Sequence, residues 1–313
     1  MKIKNRFAAI ALVAIASACS GGDKIVSPDA LNNNNNGIKK LSSDDSLYVV
    51  NQMSGAAFSS IKALRNITTP TLPGLFANAP QAPCNPSVTG TTDSNGNGIP
   101  DDKTTTFTAA NCSYTSNGYA FVVTGTIRQQ DLNGIYGYRV TYGTFSSVAK
   151  KGDSTITQTA DGTIEYAFAT ATSARTQDGV SVTTSVTAPT GSATLARTAN
   201  LAGTFTPSNG NILVRTAPLP TGTLLLSGTL NVIATATGNQ IPTGGPSSQT
   251  VSMLISTATA LNANIGCSGD ASLNAGELQA TVGGSQTGAA NIKFTACGQG
   301  GSGPTTPSGG GKK

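Results

Sequence analysis

The sequence predicts a mainly β protein: one antiparallel sheet of about eleven strands, forming a curved sheet or an incomplete barrel, with one N-terminal amphipathic helix packed on it. Three observations lead to this expectation. Tryptophan is absent and only 5% of residues are aromatic, so any core is thin or spread along a sheet. From Thr104 onward, apolar and polar residues alternate over short segments. Gly, Asn and Asp fall between these segments at turn positions, and no helical pattern separates them.

Alternation defines the individual strands. Tyr136, Tyr138, Val140 and Tyr142 fall on one face of such a segment, where they pack across strands or line a ligand cavity. Further strands are predicted at Leu195–Phe205, Ile212–Thr216, Leu224–Thr237, Val251–Leu261, Leu278–Val282 and Ile292–Cys297.

Glycine-containing turns are predicted to separate these strands. Asp161-Gly162 predicts a two-residue hairpin between 154–160 and 163–172, and Gln177-Asp178-Gly179 predicts another. Turns are also expected at Ser208–Asn211 and at Gly283-Gly284.

Apolar residues on both faces of one long strand predict that it is covered on both sides over part of its length. Leu225 and Ile233 face opposite to Leu230 and Val232.

Residues 1–18 have the layout of an export signal. Basic residues precede the apolar run 7–15, and the small residues Ala16-Ser17-Ala18 lead into Cys19. The segment Ala16–Cys19 resembles the lipobox of bacterial lipoproteins, in which the cysteine is acylated and becomes the mature N-terminus. This resemblance implies lipidation at Cys19 and, because Ser20 follows it, an outer-membrane lipoprotein of the bacterial cell envelope. Ordinary cleavage after Ala18 is the alternative, and it would leave Cys19 as a free thiol.

The rest of the chain divides into four parts. Residues 19–41 carry an asparagine run and are expected to form a flexible tether. Residues 42–297 are expected to form a single β-rich domain that begins with a helix over 42–66, and residues 298–313 form a Gly/Ser/Pro-rich disordered tail. The apolar stripe of that helix consists of Leu47, Val50, Ala57, Ile61 and Leu64.

The number of cysteines is consistent with lipidation. Of five cysteines, four remain if Cys19 is acylated, an even set for an oxidising compartment. Three pairings are open, and pairing of nearest neighbours is the simplest of them. It joins Cys84 to Cys112 and Cys267 to Cys297.

One segment, framed by Cys84 and Cys112, carries a pattern typical of metal binding. Counting Asp93 as position one, oxygen-bearing groups fall at alternate positions and a glycine stands at position six. Asp93–Asp102 resembles the calcium loops of thrombospondin type 3 repeats and other EF-hand-like loops. The resemblance implies one calcium ion, although Thr104 stands where an EF-hand has its position-twelve glutamate. An ion-free turn cluster is the alternative. The expected ligands are Asp93, Asn95, Asn97, the Ile99 carbonyl and Asp101.

Composition disfavours several classes of function. The chain has no histidine, which excludes histidine-based triads, and it has only two glutamates, Glu165 and Glu277. We therefore expect no enzyme. Loss of Lys2, Lys4 and Arg6 with the signal leaves 16 basic against 14 acidic residues, too balanced for a nucleic-acid partner.

Two hypotheses about function remain open. One is a lipid-anchored structural or interaction module with an envelope or extracellular protein partner, stiffened by disulfides and calcium. The other is a carrier that holds a hydrophobic ligand between the sheet and the helix. A transmembrane barrel is disfavoured because outward aromatic girdles are scarce.

Overall fold

Alternating burial shows why the long segments of this chain form strands. Between residues 173 and 188 nearly every second side chain is buried, among them Val180, Val182 and Val186, which a period of two places on one face. The computed structural model describes residues 39–40, 84–116, 118–132, 137–208, 220–240, 247–263, 273–296 and 299–303. This part of the chain is mainly β, and its helical content is one 3₁₀ turn at Gly238–Gln240.

Fourteen strands form a single sheet in the described residues. Their bounds are β1 Lys39–Lys40, β2 Ser87–Thr89, β3 Asp102–Phe107, β4 Ser113–Ser116, β5 Tyr119–Asp131, β6 Gly137–Lys151, β7 Ser154–Thr170, β8 Ser173–Ala188, β9 Gly191–Pro207, β10 Gly222–Ala236, β11 Ser248–Ala263, β12 Leu273–Gly284, β13 Gln286–Ala296 and β14 Gln299–Gly303.

The sheet is an open meander. Its path runs β1-β13-β12-β11-β10-β9-β8-β7-β6-β5-β3-β2, with β4 also paired to β5 and β14 to β13. All described pairs are antiparallel except β1 with β13. The end strands β1 and β2 are not paired with each other, so the sheet does not close. The expectation of a mainly β, antiparallel protein is therefore confirmed.

One face of the sheet carries the core. Leu230 of β10 lies opposite Ala199 of β9 and Met253 of β11, and Met253 lies opposite Val282 of β12. None of these four side chains is more than 2% exposed. Because the row crosses four neighbouring strands, it places one continuous apolar layer on that face.

The opposite face is open, so the prediction that long strands are covered on both sides was wrong. Leu225, Ile233 and Leu254 are exposed. Ile233 and Leu254 lie opposite Thr250 and Thr229, whose small polar side chains can remain in water. Apolar residues on this face are therefore single exposed side chains, which are common on protein surfaces.

Both predicted glycine hairpins were also wrong, because β7 and β8 run unbroken through them. The two turn signals lie opposite one another: Gly162 pairs with Val180, and Thr163 pairs with Gly179. Gly162 has φ +119°, and a Cβ there would lie 2.2 Å from the carbonyl oxygen of Gly179. The glycines allow the two backbones to approach closely within long strands rather than reverse the chain. Reversals occur instead at Gly152-Asp153 and at 171–172.

The sheet extends beyond the predicted domain at both ends. Lys39 and Lys40, expected in the tether, pair with β13, and Gln299–Gly303, expected in the tail, forms β14. Main-chain hydrogen bonds suffice to add such strands to a sheet edge, since they need no apolar side chains.

Other predicted features lie outside the described residues. They are the export signal with Cys19, the helix 42–66, Tyr136, the turn at Asn209–Asn211, the strand Ile212–Thr216, and Cys267 and Cys297. The predicted turn at Gly283-Gly284 is confirmed to within one residue, because β12 ends at Gly284 and β13 begins at Gln286.

Candidate metal site

The candidate metal-binding loop connects β2 to β3. Cys84 and Cys112, on either side of these strands, are joined by a disulfide bond. Within the loop Gly96 and Gly98 have φ values of +65° and +79°, a left-handed conformation that glycine adopts without steric cost. Ile99 is fully buried in the core, so it anchors the end of the loop against the sheet.

Asp93 organises the first half of the loop. Its Oδ1 accepts a hydrogen bond from the Asn97 N–H at 3.1 Å, and its Oδ2 accepts one from the Gly98 N–H at 2.6 Å. The same Asn97 N–H also donates a hydrogen bond to Asn95 Oδ1, at 3.0 Å. Oxygens of positions one and three therefore lie around the same backbone N–H, which holds the chain in a tight turn.

The side-chain amides of Asn95 and Asn97 converge on a residue from outside the loop. Asn95 Nδ2 donates to Asp131 Oδ2 at 2.7 Å, and Asn97 Nδ2 donates to the same oxygen at 2.9 Å. Asp131 is the last residue of β5. The structure thus brings predicted positions three and five together at an unpredicted carboxylate.

Asp101, the predicted ligand at position nine, is engaged elsewhere in the loop. Its Oδ1 accepts from the Ser94 N–H at 3.1 Å, and its Oδ2 accepts from Ser94 Oγ at 2.5 Å. The hydrogen bond from the Ser94 side chain, and to a lesser extent the one from its backbone N–H, holds the pKa of Asp101 below its usual value. The carboxylate is therefore charged at neutral pH, and its contacts close the loop across seven residues.

The next acid, Asp102, forms an ion pair rather than a ligand position. Arg128 Nε donates to Asp102 Oδ1 at 2.7 Å, and a second guanidinium nitrogen contacts Oδ2 at 2.5 Å. Hydrogen bonding to Arg128 lowers the pKa of Asp102. Both side chains are exposed, so this pair orients β3 on β5 without adding much stability.

Whether the loop can hold calcium depends on oxygens other than carboxylates. The described residues contain no group of three or more His, Cys, Asp or Glu side chains placed to hold a metal. Calcium also accepts amide and main-chain carbonyl oxygens, and one amide oxygen, Asn95 Oδ1, lies on the same backbone N–H as Asp93 Oδ1. A buried carboxylate oxygen, Asp131 Oδ1, has no hydrogen-bond partner and lies in the residue that the amides contact. Carboxylate and amide oxygens, the groups that Asp93, Asn95, Asn97 and Asp131 carry, are the kind of ligand that a hard divalent cation accepts.

Sequence reasoning missed Asp131 because nothing local marks it. It lies 36 residues after Asn95, and the two meet only because β5 pairs with β3. The available signal was an acidic residue closing a strand-like segment, a pattern shared by many solvated turns.

Two of the tyrosines predicted to pack across strands or line a ligand cavity, Tyr138 and Tyr142, lie in the core. Tyr138 of β6 packs edge-to-face against its cross-strand partner Tyr166 of β7, with ring centroids 5.1 Å apart. Burial raises the pKa of both Tyr138 and Tyr142 well above the ordinary value. The Tyr138–Tyr166 contact is the cross-strand packing that the alternation predicted.

The two glutamates do not form an acid–base pair. Glu165 of β7 accepts a hydrogen bond from Arg139 Nε at 2.6 Å, and Glu277 of β12 accepts one from Asn291 Nδ2 at 2.7 Å. Four strands separate β7 from β12 in the sheet.

The chain matches no protein-family model, no curated protein and no solved structure. Among the described residues, no helix combines the length and the apolar character needed to cross a bilayer.

Proposed function

We propose that the protein is a lipid-anchored component of the bacterial cell envelope that acts as a structural or interaction module and binds one calcium ion in the β2–β3 loop. The ligands proposed from the sequence are Asp93, Asn95, Asn97, the Ile99 carbonyl and Asp101. The observation that carries the calcium proposal is the turn around Asp93, whose carboxylate fixes two backbone N–H groups. No catalytic role is proposed.

The surroundings of the loop favour a stiffening role for the ion over a signalling role. The disulfide encloses the loop, and the buried Ile99 ties it to the core. A frame of this kind leaves little room for a large movement when an ion binds. With few carboxylates the affinity should be in the range of about 10⁻⁴ to 10⁻³ M, as in extracellular modules.

The second candidate function, a carrier for a hydrophobic ligand, is favoured by the one-sided apolar layer of the sheet. Large side chains such as Phe205, Leu230 and Ile255 are concentrated on the buried face, whereas the other face is polar with scattered exposed apolar residues. In this proposal the sheet is curved, and the helix 42–66 encloses the ligand against it.

Native mass spectrometry separates the two functions. The full chain with Cys19→Ala, exported to a bacterial periplasm, should carry one calcium ion that a chelator removes, and its mass should be lower by the hydrogens lost in two disulfides. A lipid-sized adduct that survives purification would favour the carrier. A protein with neither calcium nor lipid would overturn both binding proposals.

The anchor is tested separately, by metabolic labelling with a palmitate analogue. The wild-type chain should carry the label and sediment with outer membranes, whereas the Cys19→Ala chain should be unlabelled and soluble in the periplasm. Equal labelling of both chains would place the acyl group elsewhere, and an unlabelled wild type would refute the anchor.

A further inference from the structure

The end of strand β5 is attached to the candidate metal loop through the main chain. The Asp131 N–H lies 3.2 Å from the carbonyl oxygen of Pro100 and 3.2 Å from that of Asp101. Register places Asp102 opposite Gln130, one residue before Asp131, so β3 leads directly from the loop onto β5. These main-chain contacts therefore position Asp131 beside the loop independently of the conformations of the loop side chains.

The Asp131 carboxylate is buried and incompletely paired. The residue is 7% exposed, Oδ2 accepts two amide hydrogen bonds, and Oδ1 has no partner. A buried carboxylate without full hydrogen bonding or a counter-charge is unfavourable. The ion pairs of the described residues join Arg128 to Asp102, Arg139 to Glu165 and Arg197 to Asp178, and none of them includes Asp131.

The two asparagine amides mark where positive charge is favourable. Nδ2 of Asn95 and Nδ2 of Asn97, the positive ends of two amide dipoles, both point at Asp131 Oδ2. The amide oxygens already accept backbone N–H groups of the loop, Asn95 Oδ1 from Asn97 at 3.0 Å and Asn97 Oδ1 from Ile99 at 2.8 Å. Each amide oxygen has a second lone pair, so the same three side chains offer a cation two amide oxygens and a carboxylate without loss of the turn.

We propose that Asp131 is a ligand of the calcium site, completing it together with Asp93, Asn95 and Asn97. This inference rests on the proposed calcium function and changes its ligand set. Position twelve of the loop, where an EF-hand has a glutamate, is Thr104, which is paired in β3 with Arg128 of β5. Asp131 supplies the carboxylate that position twelve lacks. The site is thus built between the loop and β5, and it forms only in the folded sheet.

The test is calcium binding by Asp131→Asn, made in the full chain with Cys19→Ala. We expect calcium affinity, measured by titration calorimetry, to fall by about tenfold to a hundredfold or more. The calcium-dependent rise in unfolding temperature should be lost as well. A purely structural role would lower the unfolding temperature equally in calcium and in chelator. Asp153→Asn is the matched control, because Asp153 lies exposed in the β6–β7 turn and should bind calcium like the parent.

A second measurement keeps the proposal testable if Asp131→Asn does not fold. Tyr138 is the cross-strand partner of Asp131 on β6, and the chain has no tryptophan, so Tyr138 should sensitise the luminescence of terbium bound at Asp131. Tyr138→Phe should lower this luminescence severalfold while calcium affinity stays unchanged.

The outcomes separate this inference from the function on which it rests. Calcium binding by the parent, lost in Asp131→Asn but kept in Asp153→Asn, would support the ligand. Equal calcium binding by all three proteins would remove Asp131 from the site and leave the loop proposal standing. Terbium luminescence unchanged in Tyr138→Phe would place the bound ion away from Asp131 and from the two asparagines that contact it, and would count against the loop ligands as well. Absence of calcium binding by the parent would refute the calcium function itself, and the Asp131 ligand with it.

Discussion

Replacing Leu230 by alanine should lower the free energy of unfolding by about 2–5 kcal/mol, because a fully buried leucine leaves a cavity when it is truncated. Leu230 is 0% exposed, between Ala199 and Met253 on the neighbouring strands. Ala199 is too small to fill the space that the lost atoms leave. Denaturant unfolding followed by circular dichroism measures the change.

The matched control is Leu225→Ala, on the same strand and with the same chemical change. Leu225 is 53% exposed on the open face, so its loss should change stability by no more than about 0.5 kcal/mol. If the two variants were equally destabilised, the open face would be covered in solution and the one-sided core would be wrong.

Removing the Cys84–Cys112 bridge should lower the free energy of unfolding by about 3–4 kcal/mol. The bridge closes a loop with a sequence separation of 28 residues, and in the chain-entropy model that closure restricts the unfolded chain by this amount. The double variant Cys84→Ala/Cys112→Ala is preferable to serine, because Cys112 is fully buried and a hydroxyl there would need a hydrogen-bond partner.

Chemical reduction provides the comparison for this variant. The reduced wild-type protein should lose stability to a similar extent, and the reductant should have a much smaller effect on the double variant. A double variant as stable as the oxidised wild type would mean that the bridge does not constrain the unfolded chain.

The strands were predictable where side chains alternate between water and core. The predicted strand Leu224–Thr237 corresponds to β10, and Val251–Leu261 lies inside β11, because Leu230 and Met253 repeat at a period of two with their buried neighbours. The glycine signals failed for a different reason. The segments around Gly162 and Gly179 have residues typical of turns. These glycines are instead required by the close approach of the backbone of the neighbouring strand, and that neighbour cannot be identified from the local sequence.

The candidate site was predictable in the same partial way. The loop turn follows from local spacing, because Asp93 caps N–H groups four and five residues ahead. The identity of Asp131 depends on the register of β5 against β3 and on its burial, which are properties of the assembled sheet.

The connectivity of the meander also has a consequence for biogenesis. From β5 to β13 every strand pairs with its successor in the chain, so each newly emerged strand finds its template already in place. A polypeptide leaving a ribosome or a secretion pore N-terminus first can therefore assemble this sheet one hairpin at a time, with few long loops to close. Strand β1 is the exception, because it must wait until β13, close to the C-terminal end of the sheet, has arrived.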